Sequence, residues 1–296
     1  GDLIGGFEDY EWRFKLPDYS KEQREIPLWN GESLEEKSIL VYSEQGYGDT
    51  IQFIRYVPML VERGAKVILE THKSLVELFA GLKYLDDIII RNTKSIRTDF
   101  QIPIMSLPHR FSTTLNQIPA DIPYLPILST IDIDFCSESQ PVIGIAWAGN
   151  PQHRHSWAAN RSLNIALLEP IFEISGITWV SVQMDDRYDE VVMMGRKNLI
   201  KDMREHVKNF ADTAAVINKL DLVITVDTAV AHLAGAMGKP VWNLLSFAAD
   251  WRWLMDREDS PWYPTMKLFR QKTPGDWEGV IADLKAALLT EFAEIG

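Results

Sequence analysis

Three stretches of this sequence combine residue types and spacings that could do chemistry. The first is SEQGYGDTIQFIRY, residues 43–56, where Gly46 and Gly48 flank a tyrosine and Asp49 falls where a helix should begin. Glycine lets a backbone come close to a ligand and adopt dihedrals that other residues avoid. A carboxylate at this place can take a proton from a substrate or can simply cap free helix N–H groups; the spacing leaves both open. The stretch is not a dinucleotide fingerprint, because Ile51 stands where the third glycine is needed.

The second stretch is DLVITVDTAVAHLAGAMGKPVW, residues 221–242. An apolar strand ends at Val226, Asp227 and Thr228 form the turn, and a helix rich in small residues follows. The start of such a helix offers free N–H groups and a positive dipole end, which suit an anion. Thr228 and His232 are four residues apart and project from one face near that end. Together they can donate hydrogen bonds to a phosphate; the plainer reading is a hydrogen-bonded histidine in a packed helix. The third stretch is GIAWAGNPQHRHSWAANRSL, residues 144–163, a strand that leaves through Gly149-Asn150 into a loop with His153, Arg154, His155 and Arg161. Arginine suits bidentate phosphate contacts, although a solvated loop would look similar. The His-x-His pair has no carboxylate nearby and is poor grounds for zinc. Further on, Trp251, Trp253, Trp262 and Tyr263 surround Arg252 and Arg257, a set that could stack on a base or sugar or could be core. No G-x-S-x-G elbow and no Walker A lysine appear.

These stretches need elements to hold them. The chain has 296 residues, enough for one large domain or two ordinary ones, with 46% hydrophobic and 24% charged residues as in globular proteins. Its net charge of −12 argues against a nucleic-acid partner, which would demand a clustered basic surface. Cys136 is the only cysteine, so no intrachain disulfide or thiolate cluster can form, which suits a cytoplasmic setting. No apolar run reaches the roughly 18 residues of a membrane span. From Ser38 onward strands and helices alternate. SILVYS, AKVILE and DDIIIR read as strands, with DTIQFIRYVPMLVERG and HKSLVELFAGL as the helices between them. A proline-rich segment at 103–127 shortens any element there, and STIDIDFCSESQ reads as a linker. A second series begins at Pro141: strands PVIGIAWAG, ITWVSVQ, DLVITV, PVWNLL and TMKLFRQ, helices NIALLEPIFEISG, NFADTAAVINKL and TAVAHLAGAMG, and a terminal amphipathic helix. Such alternation predicts parallel, helix-covered sheets, whose ligands bind beyond the carboxyl ends of the strands. All three chemical stretches fall at such ends.

Taken together, EQGYGDTIQFIRYVPML, SLPHRF, IPYL, GIAWAGN, DTAAVINKLDLVITVDTAVAHLAGAMGKPVW, DWRWL, DSPWYPT and LFRQ resemble a bacterial glycosyltransferase domain. It is the domain usually found C-terminal to tetratricopeptide repeats and related to heptosyltransferases. The resemblance runs from about residue 38 to near the end, and GGFEDYEWRF resembles the end of a last repeat. It implies an α/β glycosyltransferase-B fold, two Rossmann-like domains facing across a cleft. The division expected is 1–36 as a lead-in, the end of a helical repeat region lost or absent; 37–130 as the acceptor-side domain; 131–140 as linker; 141–275 as the nucleotide-sugar domain; and 276–296 as a helix able to pack back on the N-terminal domain. It further implies an inverting, metal-independent transfer of sugar from a nucleotide-sugar donor to an acceptor hydroxyl, with no cofactor. Asp49 matches the family's general base. Asp227, Thr228 and His232 match its phosphate-binding helix start, and Arg161 stands where heptosyltransferases use a lysine. The donor-side set is then Asn150, Arg161, Gln183, Asp227, Thr228, Ala229 and His232, and the set at the cleft or on the acceptor side is Gln45, Gly46, Gly48, Gln52 and Arg252. A protein acceptor presented by an upstream repeat domain fits the family architecture. The alternatives are a nucleotide-sugar-binding or scaffold module without transfer activity, and a sugar-nucleotide epimerase.

Overall fold

The computed structural model describes residues 1–16, 25–93, 96–128, 135, 140–149 and 161–292. The chain divides into two compact units, residues 1–126 and 127–296. In the first, apolar runs form four parallel strands, β1 (Ser38–Tyr42), β2 (Lys66–Thr71), β3 (Asp87–Ile90) and β4 (Phe100–Pro103), in the order β3-β2-β1-β4. The helices are α1 (Leu3–Tyr10), α2 (Tyr47–Phe53), α3 (Val57–Val61), α4 (Val76–Phe79) and α5 (Leu107–Arg110). The long helix expected after β1 is broken: α2 passes into a 3-10 turn at Ile54–Tyr56 before α3. Pro58 supplies a reason, since its ring denies the chain an N–H and crowds the preceding turn. β4 was not expected, because it lies at the edge of the proline-rich segment and spans four residues.

The second unit is a six-stranded parallel sheet. Its strands are β5 (Val142–Ala146), β6 (Thr178–Ser181), β7 (Ile200–Asp202), β8 (Leu222–Val226), β9 (Val241–Leu245) and β10 (Met266–Arg270), ordered β10-β9-β8-β5-β6-β7. β5 and β8 are the central pair, so every residue of both is buried, and this explains their unbroken apolar sequence. The edge strand β7 has three residues and escaped the sequence reading. The helices are α6 (Glu169–Phe172), α7 (Asp189–Met193), α8 (Phe210–Asn218), α9 (Ala229–Ala236) and α10 (Trp277–Glu291). Trp277, Val280, Ile281, Leu284 and Leu288 of α10 join this unit's own core. The expected linker lies almost wholly outside the described residues, as do Asn150 and the loop with His153, Arg154 and His155.

The lead-in is part of the first unit. Pro27–Trp29 runs along the outer side of β4, with Gln101 N–H donating to Pro27 and Trp29 N–H donating to Gln101. Trp29 and Leu34 are each 1% exposed, so the segment covers a sheet edge that would otherwise invite pairing.

Candidate active site

In the first unit the site begins where β1 ends. Ser43, Glu44 and Gln45 lead to Gly46, which is the N-cap of α2. Asp49, in the first turn, accepts the Gly46 N–H through Oδ2 at 2.8 Å. The carboxylate is thus a cap, as one sequence reading had it, while remaining half-buried at the strand end. Gly46 has an ordinary φ of −72°, and neither it nor Gly48 is among the left-handed residues; close approach is the property they keep. Thr50 is buried and donates to Ser43 Oγ, whose own hydroxyl reaches Thr71 at the end of β2. His72 follows, its Nε2 2.9 Å from the Gln45 carbonyl and its ring edge-on to Tyr47. Burial pushes the His72 imidazole below its usual range, with Arg91 adding to this, while the Gln45 carbonyl and Asp49 oppose it. A neutral ring donating Nε2–H to the carbonyl fits that balance. Gln52, expected on the acceptor side, is fully buried.

The sequence reading missed Glu44 and what holds it. The Glu44 side chain is 1% exposed and pairs with Arg13 from the lead-in, at 2.8 Å. Burial pushes its carboxyl up, and Arg13 is the counter-charge that opposes this. A signal was available: a Glu directly behind an apolar strand is a charge that must find a partner.

In the second unit the site lies where β8 ends. Asp227 is 9% exposed. Burial foremost, and then repulsion from Asp250, push its carboxyl up to about 6, against the pull of Arg252 and the charge of Arg161. Thr228 caps α9, its Oγ1 accepting Val230 N–H at 3.2 Å and lying 3.2 Å from Thr225 Oγ1. Ala229 opens the helix and is half-buried. His232 is 4% exposed, with Nδ1 2.9 Å from the Tyr263 hydroxyl and its ring stacked on Trp253 at 5.4 Å. Because Nδ1 is engaged, a ligand contact from this ring would use Nε2. Arg252, expected at the cleft or on the acceptor side, sits beside Asp227, bonded to Asp250 at 2.8 Å.

Arg161 reaches the same cluster by lying flat on the exit of β5. A Cβ on Gly149 would stand 2.6 Å from Arg161 Nε, so this close approach requires glycine. Gln183, expected to bind the donor, directs its amide to the backbone there. Its Oε1 accepts from Trp147 and Ala148 N–H at 3.2 and 3.1 Å, and its Nε2 donates to the Ala148 carbonyl and to Asp185. The structure therefore brings Arg161, Asp227, Thr228, Ala229, His232 and Arg252 to one end of one sheet. Trp253 and Tyr263, read from the sequence as able to stack on a base or sugar or to be core, complete the cluster together with Asp250, which was not legible as a site residue. This arrangement offers a helix N-terminus and two guanidinium groups, which can hold an anion. Among the described residues no group of three or more His, Cys, Asp or Glu is placed to hold a metal ion, and no helix is long and apolar enough to cross a membrane.

Comparison with known proteins bears on this geometry. Protein FlbA of Caulobacter vibrioides is 24% identical over 97% of this chain, which spans 52% of FlbA. A solved glycosyl transferase family 9 structure from Veillonella parvula is 13% identical, covers 90% of this chain and is itself covered throughout, with a TM-score of 0.59. The iron-containing dodecameric heptosyltransferase TibC of enterotoxigenic E. coli, solved with ADP-D-β-D-heptose, is 13% identical, with 83% of this chain and 66% of TibC covered and a TM-score of 0.57. These likenesses establish the fold as two parallel α/β sheets of the glycosyltransferase-B type. Residues 208–247, which carry α8, β8, Thr228 and His232, match the model of glycosyltransferase family 9 (heptosyltransferase), and this match, with the fold, supports a glycosyltransferase.

Proposed function

We propose that the protein is an inverting glycosyltransferase that moves a sugar from a nucleoside-diphosphate donor to an acceptor hydroxyl without a metal ion. The observation that carries the reading is the cluster at the end of β8, where Thr228 opens α9 beside the buried Asp227 inside the matched segment, and Arg161, from outside that segment, adds its charge. The donor diphosphate would take N–H groups of Thr228 and Ala229, the Arg161 guanidinium and His232 Nε2. These fixed groups stabilise charge as it develops on the leaving diphosphate. Asp49 would remove the acceptor proton as its oxygen attacks the anomeric carbon, a contribution of about 10²–10⁴ in rate. An acceptor on a protein, and a cytoplasmic setting, complete the proposal; the tetratricopeptide-linked resemblance supports the first and the single cysteine the second.

Asp49→Asn is the decisive variant, since an asparagine oxygen can still cap Gly46 N–H and the fold is spared. It should bind nucleotide sugar, read by thermal shift across a panel that includes ADP-D-β-D-heptose, and lose transfer by at least about 10². Transfer at the parent rate would show that Asp49 is not the base. Activity abolished by chelator and restored by a divalent ion would overturn metal independence. Donor binding without turnover across a broad acceptor panel would identify a binding module instead.

A further inference from the structure

The lead-in segment does more than cover a sheet edge. After α1, a 3-10 turn at Glu11–Lys15 carries Arg13 inward to 6% exposure. Its Nε and Nη2 donate to the two Glu44 oxygens at 2.8 and 2.9 Å. Nη1 donates to Glu11 at 2.7 Å and to the Tyr10 carbonyl at 3.0 Å, and Nη2 also donates to Ser106 Oγ at 2.7 Å. Glu44 Oε1 accepts Met105 N–H as well, so this one guanidinium ties together the ends of β1 and β4. The next residue is held from two sides: Gln45 Nε2 donates to the Tyr10 hydroxyl, and its carbonyl receives His72. Gly46 follows, bonded to Asp49.

A buried ion pair contributes little net stability over an apolar pair of the same volume. What it does add is direction, because the guanidinium fork accepts a carboxylate in one plane only. We infer that Arg13 and Tyr10 of the lead-in, with His72, are positioning residues that fix the Glu44–Asp49 exit of β1 and so aim the Asp49 carboxylate. This rests on Asp49 being the base. A misplacement of about 1 Å in a reacting group can cost about 10² in rate, so the segment before the first strand belongs to the catalytic apparatus.

Arg13→Gln alone would leave Glu44 buried and unpaired and could unfold the unit. The test therefore uses the full chain carrying the neutral pair Arg13→Gln with Glu44→Gln, and separately Tyr10→Phe. Leu78→Ala, 1% exposed on α4, serves as a control for lost stability alone. Amide hydrogen exchange at residues 45–50 should quicken about tenfold in the first two proteins relative to Leu78→Ala matched for Tm. With the nucleotide sugar turned over fastest in the panel, kcat should fall about ten- to a hundredfold while donor KM stays within about twofold. Unchanged exchange at 45–50, or the same change in Leu78→Ala, overturns the inference. A fully active Asp49→Asn would overturn the base assignment and leave the exchange result standing, so the two failures are distinguishable.

Discussion

Asp227 shows how one residue can trade stability for a site. Its carboxyl is buried beside Asp250, with Arg252 and Arg161 as partial compensation, and titrates at about 6 against an ordinary 3.8. An acid whose folded value is raised binds a proton in the native state that the unfolded chain has already released. Stability from this group therefore falls as pH rises from about 4 to about 6 and stays low above that. The difference corresponds to about 3 kcal/mol at neutral pH. Asp227→Asn should raise the unfolding free energy of the second unit at pH 7, read from urea unfolding, by up to that amount and change nothing below about pH 4. A variant no more stable at pH 7 than its parent would mean that the carboxylate is better compensated than its surroundings indicate. Asp227 and Thr228 were legible in the sequence because strand, turn and helix are contiguous there. Asp250 was not, because 23 residues separate it from Asp227 and only the fold brings it in; Tyr263 stood out in an aromatic set, but its bond to His232, 31 residues away, was not legible.

At the scale of elements, α9 is held against Tyr263 by what it lacks. A Cβ at Gly235 would meet Tyr263 Cδ1 at 2.6 Å and Cγ at 2.7 Å, and Tyr263 is fully buried, so its ring has nowhere to swing. Gly235→Ala gains about 1 kcal/mol of helix propensity but overpacks the contact at about 1–3 kcal/mol. A net loss is expected, together with displacement of the Tyr263 hydroxyl from His232. Affinity for the nucleoside diphosphate of the best donor in the panel should fall together with Tm, measured by calorimetry and thermal unfolding; an unchanged affinity would remove Tyr263 from the support of the proposed site. The small residues of α9 were readable as a tight helix, yet the partner they clear space for was not. Elsewhere, β1, β2, β5, β6, β8 and β9 were evident from apolar runs. Helix lengths were overestimated where Pro58 and Pro170 fall, because amphipathic period continues through a proline that the backbone cannot. The three-residue β7 carries too little pattern to read.

Over the whole molecule, each unit has its own sheet and its own buried core, and the proposed roles divide between them: the base in residues 1–126, the anion-binding groups in 127–296. The net charge of −12 opposes an anionic donor at long range, so binding must come from the local field of Arg161, Arg252 and the α9 N-terminus. A ligand held by one unit stabilises the state in which that unit is folded. The nucleoside diphosphate of the proposed donor, at a hundredfold excess over its Kd, should therefore raise the opening free energy of the second unit by about 2.7 kcal/mol. In native-state hydrogen exchange the gain should appear at amides of Leu222–Ala236, the segment of β8 and α9. Amides of β1 and β2 should keep their exchange rates, since on the proposed division of roles the nucleoside diphosphate carries no acceptor and is held by the second unit. Only a donor that retains its sugar, added with an acceptor, should protect the exit of β1 at residues 45–50. Equal protection of both units by the nucleoside diphosphate alone would overturn the proposed division of roles between Asp49 and Thr228.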